Sequence, residues 1–399
     1  MDITIQPRRL RGQLNIIPSK SQAHRLLICA AFADAPTTLL CPETNRDIEA
    51  TADCLNALGA SIGRTDHGYY IVPCNTPNQK AVLNCHESGS TLRFLLPVAS
   101  ALGVETTLKM EGRLPQRPLS PLWEEMERMG CTLKWIAPDA LLVSGKLKSG
   151  DYYIDGGVSS QFITGLLFAL SLLEGDSTIH VRGKLESAPY VDMTLDAMAS
   201  FGIKVQNLTL RGNLKYRSPG TLSVEGDWSN GAFFLAAQAL GSDLEVLGLN
   251  LESSQGDRAV FDLLPLLSRE TATISAADIP DLVPILSVFA AANQGAVFTD
   301  IRRLRLKESD RVASVMEMIE NLGGKAVATE DTLTIFGTGL TGGWVNSHND
   351  HRIAMSAAIA ATICTAPVTV LGAECISKSY PQFWAEYARL GGNYEQYIR

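Results

Sequence analysis

The 399-residue chain is long enough for two domains, because single cores rarely grow past about 250–300 residues. Hydrophobic content of 46% against 19% charged residues describes a packed globule, and no run approaches the roughly 20 apolar residues of a membrane helix. A formal net charge of −8 without a basic tail argues against nucleic acid, and MDITIQPRRLRGQ has no apolar run after its basic residues, so no secretory signal is expected and the cytoplasm is the default compartment.

Along the chain, six apolar stretches follow one template, a polar cluster and then about ten small or aliphatic residues. They read KSQAHRLLICAAF from Lys20, GSTLRFLLPVASAL from Gly89 and SSQFITGLLFALSLL from Ser159. DWSNGAFFLAAQAL from Asp227, PDLVPILSVFAAA from Pro280 and NDHRIAMSAAIAA from Asn349 complete the series. With Ser21, Ser90, Ser160, Ser229, Asp281 and Asp350 as markers, the spacings are 69, 70, 69, 52 and 69. Each stretch predicts a helix buried on all sides. A second, amphipathic helix type recurs between them and ends in glycine, at Gly59, Gly130, Gly202, Gly323 and Gly391. The fourth copy, LLPLLSRETATIS, has no such glycine. Each unit thus reads strand, buried helix, strand, amphipathic helix, strand, in two halves of three units, which is α/β architecture. The SG and GD pairs near 149–151 predict a hairpin.

Helix starts buried in such a fold carry unpaired N–H groups and partial positive charge, a ready anion site. Ser21, Ser90 and Ser160 suit N-caps. Arg25, Arg93 and Arg352 lie near the starts of buried helices, where a cation meets the positive end of the dipole. Each therefore needs an acid partner, a route to solvent or an anionic ligand. EGRLPQRPL sets Arg113 and Arg117 in a loop, RRLRLKESDR sets Lys307, Glu308 and Arg311 at a helix start, and ISKSYPQFW sets Lys378 in a turn. There is no P-loop, dinucleotide fingerprint or nucleophile elbow, so neither a nucleotide cofactor nor acyl-enzyme chemistry is expected. Eight cysteines without a CxxC pair read as buried free thiols, and His348 with His351 lacks a further ligand, so no metal is expected. The residues point to a metal-independent site for a multiply anionic ligand. Asp281 and Glu308 are its candidate acid and base beside Lys20, Arg113, Arg311, Arg352 and Lys378, and no reaction class follows from them alone.

In order, PSKSQAHR, SGSTLR, EGRLPQRP, SSQFITGL, KLESAPYVDMT, VEGDWSN, SQGD, IPD, KESDR, NDHRIAM and KSYPQFW resemble the 5-enolpyruvylshikimate-3-phosphate synthase family, from about residue 8 to 390. The resemblance implies a two-domain inside-out α/β barrel, each domain three βαβαββ repeats around buried parallel helices. It places one domain at residues 19–225 and the other at 1–18 with 226–399, with the active site in the cleft between them. The implied reaction moves the enolpyruvyl group of phosphoenolpyruvate to the 5-hydroxyl of shikimate 3-phosphate and releases phosphate, with no cofactor, in a monomer. Matching motif positions would have Lys20, Ser21, Arg25, Ser159, Ser160, Gln161, Ser187, Tyr190, Asp281 and Lys307 hold shikimate 3-phosphate. Lys20, Gly89, Arg113, Gln161, Arg311, Arg352 and Lys378 would hold phosphoenolpyruvate. Asp281 is then the general base and Glu308 the acid, with Lys20 an alternative proton carrier.

Three positions depart from the family pattern: Glu87 two residues before Gly89, Arg303 ahead of Lys307, and the bulky Trp228. Glu87 beside a phosphoenolpyruvate pocket requires a cation partner, such as Arg93. Two other readings compete. A transferase that loads enolpyruvate onto UDP-N-acetylglucosamine would carry a cysteine where this chain has EGRLPQRPL. A non-catalytic anion binder would have lost some of the acid and basic set, which is intact here.

Overall fold

A computed structural model describes residues 1–397. The chain folds as two compact units, Pro18–Glu225 (the inserted unit) and Met1–Ile17 with Gly226–Arg399 (the split unit). The border expected after residue 18 falls one residue earlier. The inserted unit contains helices α1 (Lys20–Ala31), α2 (Arg46–Leu58), α3 (Gly89–Leu102), α4 (Leu122–Arg128), α5 (Ser160–Leu170) and α6 (Ala188–Ser200). The split unit contains α7 (Trp228–Ala239), α8 (Val260–Leu267), α9 (Val283–Ala292), α10 (Arg311–Asn321), α11 (His351–Ala361) and α12 (Phe383–Arg389). The odd-numbered helices are the six apolar stretches, and every residue of α11 is buried. The even-numbered helices are the amphipathic type.

The glycines foreseen as helix stops all lie at positive φ, between 80° at Gly202 and 121° at Gly59. Without one, α8 ends on Ser268. Among the described residues its repeat has only a two-stranded sheet, Arg11–Asn15 beside Asp243–Leu247. No hairpin follows, which accounts for the short spacing of 52.

The complete repeats show why the pattern recurs. Lys80–Asn84 crosses over through α3 to the parallel strand Glu105–Lys109. The chain then runs through α4 into the antiparallel pair Cys131–Ala137 and Ala140–Gly145. The repeat at Ala272–Ser275 follows the same plan, through α9 to Ala296–Thr299 and then the pair Lys325–Ala328 and Thr332–Phe336. Each unit holds three separate sheets that share no strand, so the expected barrel is not closed by hydrogen bonds. The helices fill the interior instead. One cluster led by α1, α3 and α5 forms the core of the inserted unit, and one led by α7, α9 and α11 that of the split unit. Gly165 lets α5 approach α3 closely, since a Cβ there would lie 2.2 Å from the Arg93 carbonyl oxygen.

The turn at 149–151 joins strands of different sheets and is no hairpin. Among the hairpins that do occur, one turns at Asp66–His67 between Ser61–Thr65 and Gly68–Val72. Strand order also closes each unit from its ends. Thr221–Ser223 pairs in parallel with Thr37–Leu40 to complete the first repeat, and Asp2–Gln6 sits between Val368–Leu371 and Asn393–Tyr397 in the last. No helix is long and apolar enough to cross a membrane among the described residues.

Candidate active site

The helix starts in the inserted unit are capped one or two residues earlier than the marker serines suggested. Ser19, Ser88 and Ser159 accept from the backbone N–H of Gln22, Thr91 and Gln161. Ser21, Ser90 and Ser160 therefore fall within the first turns of α1, α3 and α5, beside the N–H groups that a helix leaves unpaired. The capping oxygen belongs on the residue whose backbone is still extended, and that is the earlier serine.

Lys20, the first residue of α1, donates from Nζ to Asp47 Oδ2 at 2.8 Å. Asp47 lies in the first turn of α2 and was not among the expected site residues. Arg25 is 2% exposed. Its Nε donates to Thr194 Oγ1 at 2.9 Å, Nη1 to the Ser21 carbonyl at 2.6 Å and Nη2 to the Tyr190 carbonyl at 2.7 Å. The guanidinium also lies over the Phe94 ring, 5.2 Å from its centroid. Among the described residues no carboxylate partners it, and burial pulls its pKa down to about 10. A buried, uncompensated cation favours an anion nearby.

On α3 and α5, Arg93 Nη1 donates to Gln161 Oε1 at 2.9 Å and Nη2 to the Pro118 carbonyl at 3.1 Å, while Gln161 Nε2 donates to Ser90 Oγ at 3.1 Å. A Cβ on Gly89 would come within 2.7 Å of Arg117 Nη1 and 2.9 Å of Arg93 Nη1, so the glycine admits both guanidinium tips to the start of α3. The Glu87 carboxyl lies against Gly112 in the EGRLPQRPL loop. Arg113 is exposed, just ahead of the single turn Leu114–Gln116. Ser187 caps α6 in a left-handed conformation, φ 57° and ψ 39°, which costs a non-glycine residue about 1–3 kcal/mol and is typical of functional positions. Tyr190 stands one turn further along α6 and is half-buried.

In the split unit the starts of α9, α10 and α11 meet in a charge cluster. Arg311, 1% exposed, is held by three carboxylates: Nη1 by Asp281 Oδ1 at 2.5 Å, Nη2 by Glu308 Oε2 at 2.7 Å and Nε by Asp350 Oδ2 at 2.8 Å. Arg352 Nη2 donates to Asp281 Oδ2 at 2.9 Å, and Lys307 Nζ stands 4.0 Å from Asp281 Oδ1. Burial alone would raise the Asp281 pKa, but Arg352, Arg311 and Lys307 hold it well below the usual carboxylate range. Burial lowers Lys307 to about 8, with Asp281 opposing and Arg303 assisting, so Arg303 adds positive potential at this lysine. Lys378, 8% exposed, donates to the Asn349 carbonyl at 2.8 Å, just ahead of α11. Asp350 caps α11 through the Arg352 N–H at 3.0 Å.

All three side-chain nitrogens of Arg311, an expected phosphoenolpyruvate-binding residue, are engaged with acids, so it also holds Asp281, Glu308 and Asp350 together. Trp228, buried, donates from its indole to the Asn250 carbonyl at 2.9 Å and from its backbone to Gln255 Oε1 at 3.1 Å. It thus anchors the SQGD segment against the start of α7. Asp257 and Asp350 belong to the polar framework of the split unit, and Asp47 pairs with Lys20 in the inserted unit. Asp350 stood out beforehand as a repeat marker and Asp257 within the SQGD motif, whereas Asp47 was missed because its partner Lys20 lies 27 residues away in the chain.

The family model for EPSP synthase (3-phosphoshikimate 1-carboxyvinyltransferase) matches residues 5–387. The 3-phosphoshikimate 1-carboxyvinyltransferase of Clostridium kluyveri is 39% identical over 420 residues, covering 99% of this chain and 98% of the relative. That of Clostridium acetobutylicum is 39% identical over 428 residues, covering 99% and 98%. A solved EPSP synthase from Acinetobacter baumannii shares the two-domain α/β fold with a TM-score of 0.80 at 23% identity, covering 99% of this chain and 100% of that one. A match across nearly the whole length, with relatives well above the threshold of chance, fixes the ancestry: the chain belongs to the EPSP synthase family.

Proposed function

We propose that this chain is a cytoplasmic transferase that moves the enolpyruvyl group of phosphoenolpyruvate to the 5-hydroxyl of shikimate 3-phosphate and releases phosphate, in the pathway to chorismate and the aromatic amino acids. The observation that carries the reading is the Asp281 carboxylate, held between Arg311 and Arg352 with Glu308 on the same Arg311. A base and an acid so placed, among cations suited to phosphate and carboxylate groups, fit an addition–elimination reaction on an anionic enol.

In this reading Ser21, Arg25, Ser159, Ser160, Gln161, Ser187 and Tyr190 hold shikimate 3-phosphate, with Lys20, Asp281 and Lys307. Gly89, Arg113, Gln161, Arg311, Arg352 and Lys378 serve phosphoenolpyruvate, again with Lys20. Glu308 protonates the methylene carbon of phosphoenolpyruvate. The substrate hydroxyl attacks the adjacent carbon as Asp281 takes its proton, which gives a tetrahedral intermediate. Return of the methyl proton to Glu308 and departure of phosphate restore the double bond.

Asp281 is a weak base while two guanidinium groups share its charge. Anionic substrate arriving at Arg352 and Arg311 offsets that charge, raises the basicity of Asp281, and so couples binding to proton transfer. Phosphate release is the test. It is expected with phosphoenolpyruvate plus shikimate 3-phosphate and absent with UDP-N-acetylglucosamine, and the opposite pattern, or silence with both, overturns the reading.

A further inference from the structure

The turn at 347–350 joins the strand Gly343–Asn346 to α11, and two consecutive residues in it are left-handed, His348 at φ 50° and Asn349 at φ 57°. Histidine and asparagine tolerate that backbone better than most side chains, yet it remains unfavourable for both. Through it the Asn349 carbonyl accepts from Lys378 Nζ at 2.8 Å, and the Asp350 carboxylate that follows accepts from Arg311 Nε at 2.8 Å. Ser347 ties the turn to the start of the segment that ends in Lys378. Its N–H donates to the Leu371 carbonyl and its Oγ to the Gly372 carbonyl, both at 3.0 Å. On the other side, His348 Nε2 donates to Glu317 Oε2 at 2.8 Å, on the helix α10 that Arg311 begins. Both side chains are half-buried, and the proposed mechanism uses neither.

We propose that His348 and Glu317 are positioning residues: their bond clamps the left-handed turn to α10 and so fixes the Asn349 carbonyl that aims Lys378. Without the clamp, the unfavourable backbone can relax and the Lys378 amine loses a fixed acceptor. Asp350 is 0% exposed and is anchored separately, by Ser309 Oγ at 3.1 Å, by Arg311 and by the Arg352 N–H. Loosening therefore reaches Lys378 before it reaches the Arg311 cluster. The effect is selective for phosphoenolpyruvate, because the shikimate 3-phosphate contacts proposed in this unit, Asp281 and Lys307, lie outside the turn.

The proposal rests on the reading of Lys378 as a phosphoenolpyruvate-binding residue, and its first test needs no turnover. Hydrogen–deuterium exchange of the free protein, read by mass spectrometry over residues 343–350, is expected to quicken about two- to fivefold in His348→Asn and in Glu317→Ala, the range for one partly exposed ion pair. Asparagine suits the left-handed backbone and lacks the ring nitrogen that meets Glu317, so the change reports the clamp rather than the strain. Exchange at the wild-type rate in either variant overturns the proposal. In steady-state phosphate release, each variant should raise the KM for phosphoenolpyruvate about two- to fivefold and leave kcat and the KM for shikimate 3-phosphate unchanged. The double variant should be no worse than either single one, since each removes the same bond. Equal rises in both KM values, or losses that add in the double variant, overturn the proposal. A wild type that releases no phosphate from phosphoenolpyruvate counts instead against the proposed function, and exchange at the turn then decides the clamp.

Discussion

Asp281 and Arg311 show how a site can be fully paired and still reactive. Two nitrogens of Arg311 and one of Arg352 reach carboxylate oxygens of Asp281 and Glu308, so the cluster stays neutralised until a stronger anion competes. The charge of Asp281 stabilises the fold above the usual carboxylate range, and that stability is lost as pH falls through its lowered native value. Asp281→Asn keeps the shape and removes the base. Turnover should drop about 10²–10⁴-fold with a much smaller change in the KM for phosphoenolpyruvate, measured by steady-state phosphate release. Near-normal turnover would remove Asp281 from the base role. Lys307 offers a second check. With a value of about 8, roughly half of its amines are neutral at pH 8, so it should react with an amine-acylating reagent faster than ordinary lysines. Peptide mass spectrometry should find that shikimate 3-phosphate slows this labelling; equal labelling with and without ligand argues against the contact.

The interior helices carry the chemistry at their starts, and those starts are built from short local signals. Serine or aspartate caps five of the six, while α9 begins after Leu282 with no side-chain cap. The first turn of α1 shows how such a start is built. Ser19 caps, Lys20 reaches Asp47, and Arg25 spans to α6, so these three polar groups at the head of an apolar helix each have a task. At the head of α3, Gly89→Ala would push a methyl group into Arg117 and Arg93. Both are flexible ends, so the helix should survive with a shift in melting temperature of no more than a few degrees, while the KM for phosphoenolpyruvate rises about tenfold or more. The KM for shikimate 3-phosphate should move far less. Equal losses for both substrates would place Gly89 outside the phosphoenolpyruvate subsite.

Each unit is a ring of repeats completed by strands from distant parts of the chain, and each has its own core. With a formal charge of −8, the molecule attracts phosphates only through local placement of its cations. Anionic ligands that settle among buried cations must therefore bind the native state alone. Shikimate 3-phosphate at 100 times its dissociation constant should stabilise the protein by about 2.7 kcal/mol, seen in scanning calorimetry as a rise of several degrees. UDP-N-acetylglucosamine at the same concentration should give none, and a shift with the UDP-sugar alone would favour the rival transferase.

The repeat, the six apolar helices, their glycine stops and the catalogue of basic residues were legible in the amino-acid order, because periodicity, capping and left-handed glycine are properties of short stretches. The same order suggested Ser21 where Ser19 caps α1, and offered a hairpin at 149–151 that packing does not use. Folding alone set Asp2–Gln6 into the last repeat, tied Lys20 to Asp47, closed three acids around Arg311 and buried Asp257 against Ser229. Those outcomes join residues far apart in the chain, and their charges take meaning only from neighbours and burial. A residue's type fixes what it can bond, whereas its partner and protonation state depend on what the packed interior brings to it.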